Sequence, residues 1–257
     1  MKRHWLDMAA IAVIFAAAFA VNHAPARFFA AADWPGVRLL YDVSDKNAYI
    51  RCGRYALLDG GAPYRDAYSE YPQLATYLFG VPFAFASNRA EYHHYFTWMM
   101  AFCLAATYLL VSRVCIMLGL SPRRALLLLL PGALYFTMNR FDIVPAFIVM
   151  AAVWALLKEK IPLSFGLLAV GVLMKLYPAI YVPFFAVYVY HKHGWKKLAG
   201  GLAVFGLVVV ALTAQLIWWS GLDGALLPYR FQVERPSNTE SLFYMLASVL
   251  PAVDSQP

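Results

Sequence analysis

Apolar residues run along this chain in long blocks separated by short polar clusters, without the strict alternation of strands or the single stripe of a soluble helix. The blocks are 5–21, 71–87, 94–118, 125–138, 143–157, 161–174, 178–190, 198–219 and 241–252, and most read as membrane helices. The first follows Met-Lys-Arg-His, is long for a signal peptide, and is followed by Asn22-His23-Ala24-Pro25-Ala26, a poor cleavage site, so it reads as a retained span. The block 71–87 carries Pro72 and Pro82 and is short of the roughly 20 residues a spanning helix needs. It is expected to dip into the membrane or lie on it. The fold class expected is all-α: a polytopic membrane protein forming one transmembrane domain over 1–257.

Composition agrees, since 62% of residues are hydrophobic and 14% charged, against about 25% charged in a soluble domain. In such a chain the net charge of +7 matters through its placement and is no argument for nucleic acid. With Lys2 and Arg3 inside and 71–87 not crossing, Arg123-Arg124, Lys158/Lys160 and Lys192/Lys196/Lys197 all fall on the cytoplasmic side, as the positive-inside rule expects. The other face then receives the loop 22–70, the breaks Asn139-Arg140-Phe141-Asp142 and Lys175-Leu176-Tyr177-Pro178, and the loop 220–240 with Arg230, Glu234 and Arg235.

The segments flanking those breaks are too short to cross about 30 Å of hydrocarbon, so the breaks are expected below the membrane surface, lining a polar cavity. Lys175 is the sharpest case, one charge in the run LLAVGVLMKLYPAIYVPFFA. It reads as a phosphate contact beside Tyr177, or as a lysine snorkelling from a helix end. Arg140 and Asp142 read as ligand-binding residues or as an ion pair capping a turn.

The loop YDVSDKNAYIRCGRYALLDGGAPYRDAYSEYPQL combines carboxylates, among them Asp42, Asp45 and Glu70, with tyrosines that include Tyr49, Tyr64 and Tyr71. A short amphipathic helix is expected from Ser44 or Asp45 to Leu58, stopped by Asp59-Gly60-Gly61. Carboxylates with aromatic rings suit the gripping and deprotonation of sugar hydroxyls, but a tyrosine-rich loop is also an ordinary interfacial belt. Cys52, Cys103 and Cys115 lack metal or redox spacing, and His93-His94 point apart on a helix, so packing and anchoring roles are expected of them.

The stretches SDKNAYIRCGRYALLDGGAPYRDAYSEYPQL, LGLSPRRALLLLLPGALYFTMNRFDIVPAFIVMAAVWALL, GLLAVGVLMKLYPAIYVPFF and, more weakly, YRFQVERPSNTESLFYML together resemble the polyprenyl-phosphate-dependent glycosyltransferases of the GT-C superfamily. The likeness is to the family 87 mannosyltransferase type and to the catalytic subunit of eukaryotic GPI mannosyltransferase I. The resemblance implies a GT-C-like helical bundle in which 22–70 is the outer-face catalytic loop. It implies a glycosyltransferase of the plasma or inner membrane that moves a hexose, mannose in most relatives, from a polyprenyl-phosphate-sugar donor to a lipid or glycan acceptor on the non-cytoplasmic face. Its partners are then the donor, the acceptor and membrane lipids. The base is implied to be Asp45, which precedes Tyr49 at the Asp-x-x-x-Tyr spacing, with Asp42 second. Lys175 is implied to meet the donor phosphate with Arg140 or Arg230, and Tyr49, Tyr64, Glu70, Tyr71, Asp142, Tyr177 and Glu234 to line the substrate site.

No certain cofactor follows: Asp42-Val43-Ser44-Asp45 departs from an Asp-x-Asp metal pair, and a monophosphate donor makes smaller demands on a divalent cation. Family members carry more spans after the region matching 230–245, so a truncated product, an inactive one, or part of a split enzyme completed by a second subunit are all consistent with the chain. The rival readings are a transporter or flippase of a lipid-linked or polar substrate, which also uses broken helices, and a noncatalytic subunit. Against the transporter, the polar breaks gather on one side and no duplicated halves are evident.

Overall fold

The computed structural model describes residues 2–23, 44–57, 63–66 and 68–234, which are helical with no β-strand among them. Asp42, the Asp59-Gly60-Gly61 stop, Arg235 and the 241–252 segment lie outside the described residues. The helices are α1 (Lys2–His23), α2 (Ser44–Leu57), α3 (Gln73–Gly80), α4 (Arg89–Met117), α5 (Pro131–Asn139), α6 (Ile143–Leu157), α7 (Ile161–Met174) and α8 (Tyr181–Glu234). Shorter 3₁₀ turns occupy Val81–Ala84, Pro122–Leu129 and Tyr177–Ile180. The protein is an all-α polytopic membrane protein. Among the described residues His4–His23, Arg89–Met117 and Tyr177–Glu234 are long and apolar enough to cross, whereas α5 and α6 are so only taken together and are bent by 108° at the break between them.

Helices α1 and α4 run antiparallel: Asn22 donates to the His94 carbonyl at 3.4 Å near one end, and Tyr108 donates to Asp7 at 3.3 Å near the other. Ala10, Ile14 and Ala18, four residues apart, put one buried stripe of α1 into this core. Asn88 starts α4 by accepting from the Glu91 N–H at 3.0 Å, and Glu91 accepts in return from the Ser87 N–H at 2.7 Å.

The 125–138 block does not form one helix. Pro131 has no N–H and its ring clashes with a helical carbonyl four residues back, so the chain winds as a 3₁₀ turn to Leu129, extends at Leu130 and restarts as α5. The block 71–87 becomes α3 and a 3₁₀ turn starting beside Pro82, and α3 is only about 12 Å long.

Helix α8 is broken at Gly194 and Gly221, whose φ of 76° and 72° lie where only glycine sits without strain. At Gly194 the chain reverses. Phe185 and Gly201 both meet the ring of Phe165, the first at 6.4 Å between centroids and the second so closely that an added Cβ would lie 2.7 Å from the ring. In an unbroken helix those two residues would be about 24 Å apart.

These connections sort the chain into two ends. Glu159 and Lys192 pair at 3.1 Å, tying the turns after α6 and before Gly194 together. The antiparallel runs put the start of α1 and the 118–124 turn at that same end. The opposite end holds α2, the 139–142 and 175–178 breaks, and the 222–234 piece of α8, joined by Asp45–Arg140, Asp142–Lys175 and Ser220 donating to the Pro63 carbonyl.

Candidate functional site

Helix α2 forms where expected, and its buried positions 46, 49, 52 and 53 make one face. Gly53 lets that face reach α3 backbone to backbone, since a Cβ there would lie 2.4 Å from the Phe79 carbonyl. One turn earlier Tyr49 stacks on the Phe79 ring at 4.2 Å. Tyr71 and Phe141 complete a closed group in which every pair of the four rings lies between 4.2 and 5.6 Å. This aromatic tetrad is the floor of the site. Phe141 is 1% and Tyr49 2% exposed.

The break between α5 and α6 places charge on either side of that floor. Arg140 and Asp142 do not pair with each other, and Asp142 caps nothing with its side chain, so the turn-capping reading is overturned. Arg140 Nε instead meets Asp45 Oδ2 at 2.8 Å, and Asp142 pairs with Lys175, the extended residue that ends α7. Arg140 also covers the Phe136 ring at 5.4 Å, and the Lys175 ammonium stands 5.2 Å from the centre of the Phe141 ring. Lys175 is therefore held inward by an anion and a ring. All four ionic side chains remain between a third and a half exposed, so a ligand can reach them.

Tyr71 donates to the Glu70 carboxylate, and burial first, then the nearby charges, pushes its phenol well above the usual tyrosine range. Burial followed by Asp45 and Asp142 does the same to Tyr49. Neither phenol is a proton acceptor near neutral pH. Both are donors and packing surfaces. Tyr177 stands near Asp142 at the same rim.

The remaining candidates lie elsewhere. Arg230 pairs with Asp223 at 3.0 Å and, with Glu234, Tyr64, Tyr68 and Phe231, lines a cavity of about 650 Å³ between the 64–66 turn and the end of α8. Arg230 is thus not grouped with Arg140 and Lys175. A smaller cavity of about 430 Å³, lined by Arg51, Cys52, Asp66, Tyr68, Glu70 and Tyr71, shares Tyr68 with the first and Tyr71 with the tetrad. Tyr64, in the left-handed region at φ 66°, donates to the Tyr71 carbonyl, and Gln232 reaches the Glu70 carbonyl at 3.3 Å. The large cavity is therefore stitched to the ionic site through residues 70 and 71.

Among the described residues no three His, Cys, Asp or Glu side chains cluster as metal ligands. His93 faces Asn47 at 3.2 Å while His94 accepts from Trp98 at 3.0 Å, and the three cysteines are unpaired. The sequence did not single out Lys46, Phe79 or Phe231, and it offered Tyr68 only among the loop tyrosines and Phe141 only as part of the 139–142 break. The one available signal was the 46, 49, 53 spacing in α2, which puts Lys46 on the same face as Tyr49.

The sequence model of glycosyltransferase family 87 matches residues 70–250. The chain belongs to that family. No curated protein and no solved structure matches it. A member of family 87 with these helices is a membrane glycosyltransferase, and the matched stretch contains Glu70, Tyr71, Arg140, Asp142, Lys175, Tyr177, Arg230 and Glu234. Asp45, Tyr49 and Tyr64 precede it. They join the site through the contacts with Arg140, Phe141 and Tyr71.

Proposed function

We propose that this chain transfers a hexose, mannose in the reading favoured here, from a polyprenyl-phosphate-sugar donor to a hydroxyl of a lipid or glycan acceptor on the non-cytoplasmic face of the cell membrane. The observation that carries the reading is the pair of ion pairs, Asp45–Arg140 and Asp142–Lys175, set on either side of Phe141 at one end of the bundle. Two cations, each in contact with a carboxylate, supply both halves of an inverting glycosyl transfer.

The donor phosphate takes Lys175 and Arg140 as its counter-ions, and the polyprenyl tail stays in lipid. Released from Arg140, the Asp45 carboxylate accepts the proton of the acceptor hydroxyl as that oxygen attacks the anomeric carbon from the face opposite the phosphate. The new C–O bond forms as the old one breaks. Its electron pair leaves on polyprenyl phosphate, whose extra charge the two cations stabilise. Asp142, freed from Lys175, and Glu70, beside Tyr71, hold sugar hydroxyls over the tetrad. The 650 Å³ cavity, with Tyr68, Phe231, Arg230 and Glu234 on its walls, takes the acceptor.

The test is transfer of radiolabelled mannose from polyprenyl-phosphate-mannose into a membrane lipid extract by the purified chain in nanodiscs, with Asp45→Asn in parallel. Label transfer by the wild type and none by Asp45→Asn is the expected result. Wild type without transfer, under conditions where a family 87 relative transfers, sinks the reading and favours a noncatalytic subunit.

A further inference from the structure

Beside Asp45 on α2 lies a charge that the proposed chemistry does not use. The Lys46 side chain is 3% exposed, in a core of aromatic and aliphatic residues where an ammonium is expensive to bury. Adjacent residues on a helix point about 100° apart. Asp45 accordingly turns to the rim while Lys46 turns inward.

The inward contacts form a closed circuit. Lys46 Nζ donates to Thr97 Oγ1 at 2.8 Å and stands 5.9 Å from the centre of the Phe96 ring. Thr97, fully buried on α4, turns its hydroxyl toward the carbonyls of His93 at 2.9 Å and Met138 at 3.4 Å. Met138, also fully buried, is two residues before Arg140, and Arg140 returns to Asp45 at 2.8 Å. The start of α2 is therefore tied to the end of α5 twice. One tie, Asp45–Arg140, is ionic and half-exposed. The other, Lys46–Thr97–Met138, is dry.

Only the exposed tie is open to exchange with a phosphate. When Arg140 turns to the donor, Asp45 loses its partner at the moment its position matters most, since a misplacement of about 1 Å can cost a hundredfold in rate. The buried tie does not change with donor binding. We infer that Lys46 is a positioning residue: through Thr97 it fixes the Asp45 carboxylate against the 139–142 break while Arg140 is engaged elsewhere. The inference rests on the transferase reading above. It adds a residue that touches neither donor nor acceptor.

The experiment measures kcat, donor KM and Tm in nanodiscs for wild type, Lys46→Met, Thr97→Val, Thr97→Ser and the Lys46→Met/Thr97→Val double variant. Expected are a kcat loss of about 30-fold or more in Lys46→Met with donor KM within about threefold, and a smaller loss of about tenfold in isosteric Thr97→Val. Thr97→Ser, which keeps the hydroxyl, stays within about twofold, and the double variant is no worse than Lys46→Met because both changes cut one tie. A Lys46→Met enzyme that turns over normally, losses that follow Tm in every variant, or additive losses in the double variant each overturn the inference alone. A wild type that transfers no sugar overturns the function and this inference together, so the two failures are told apart by the wild-type lane.

Discussion

Arg140 and Asp45 lie 95 positions apart in the chain and meet at 2.8 Å. The pair joins the family-matched stretch to the helix that precedes it. It also pairs the proposed base with a cation that a donor phosphate is suited to draw away.

Replacing Asp45 with Asn removes the proton acceptor but also releases Arg140. Turnover is expected to fall by at least about a thousandfold, whereas affinity for polyprenyl phosphate stays level or tightens, because the phosphate no longer competes with a carboxylate. Single-turnover transfer and equilibrium binding of radiolabelled polyprenyl phosphate, measured on the same preparation, separate the two effects. A weakened donor affinity would show that Asp45 holds Arg140 in place for the phosphate.

Lys175→Met is the converse experiment. A charge-assisted contact to a phosphate contributes about 1.5–3 kcal/mol, so donor affinity should drop by about 10- to 100-fold. The substitution leaves Asp142 without its cation at the rim, but Asp142 is half-exposed and tolerates it. Unchanged binding of polyprenyl phosphate would return Lys175 to a purely structural tie between α6 and α7.

The breaks at 139–142 and 175–178 and the helix from Ser44 were legible in the sequence because each is written locally, in a polar cluster inside an apolar run or in a helix start signal. The pairing of their charges was not. Arg140 and Asp142 are two apart on a break and so reach in different directions, to partners on α2 and α7 that no local pattern names. Arg230 was grouped with Lys175 through the family resemblance, and it lies instead beyond the Gly221 break, on the wall of another cavity. Pro131 was visible in the 125–138 run, yet an apolar run looks the same whether it winds as α or as 3₁₀. Lys46 sits in a polar stretch that reads as solvated, and its partner Thr97 is 51 residues away.

Burial alone holds the Lys46 ammonium down at about 8, against 10.5 for an ordinary lysine. Between about pH 8 and 10.5 the unfolded chain binds the proton that the folded chain has lost, so stability attributable to Lys46 rises with pH across that window, by on the order of 3 kcal/mol in total. Below pH 8 both states are protonated and the contribution is gone. Arg89, which stays charged, and His93, which feels the Lys46 charge but is neutral from pH 7.5 to 9.5, face the same region through Asn47 and add no titration in that window. The Tm difference between the two proteins in nanodiscs, wild type minus variant, is expected to increase from pH 7.5 to pH 9.5. A flat difference would mean that Lys46 keeps its proton in the core.

The two ends of the bundle differ in charge in a way that predicts their sides. One end gathers the start of α1, the Arg123-Arg124 turn, Lys158 and Lys160, and the Lys192–Lys197 cluster around Gly194; the other holds the ionic site. Cytoplasmic loops carry the excess of Lys and Arg, so the Gly194 turn is expected inside and the site outside. In a background with Cys52, Cys103 and Cys115 replaced, a membrane-impermeant maleimide applied to intact cells should label Asp223→Cys, whose side chain is 90% exposed, and should label Trp195→Cys only after permeabilisation. The opposite pattern would place Asp45 and Lys175 on the side where nucleotide-activated sugars are made, and the need for a lipid-carried donor would disappear. The accessibility of these two positions therefore bears on donor chemistry as directly as an assay of transfer does.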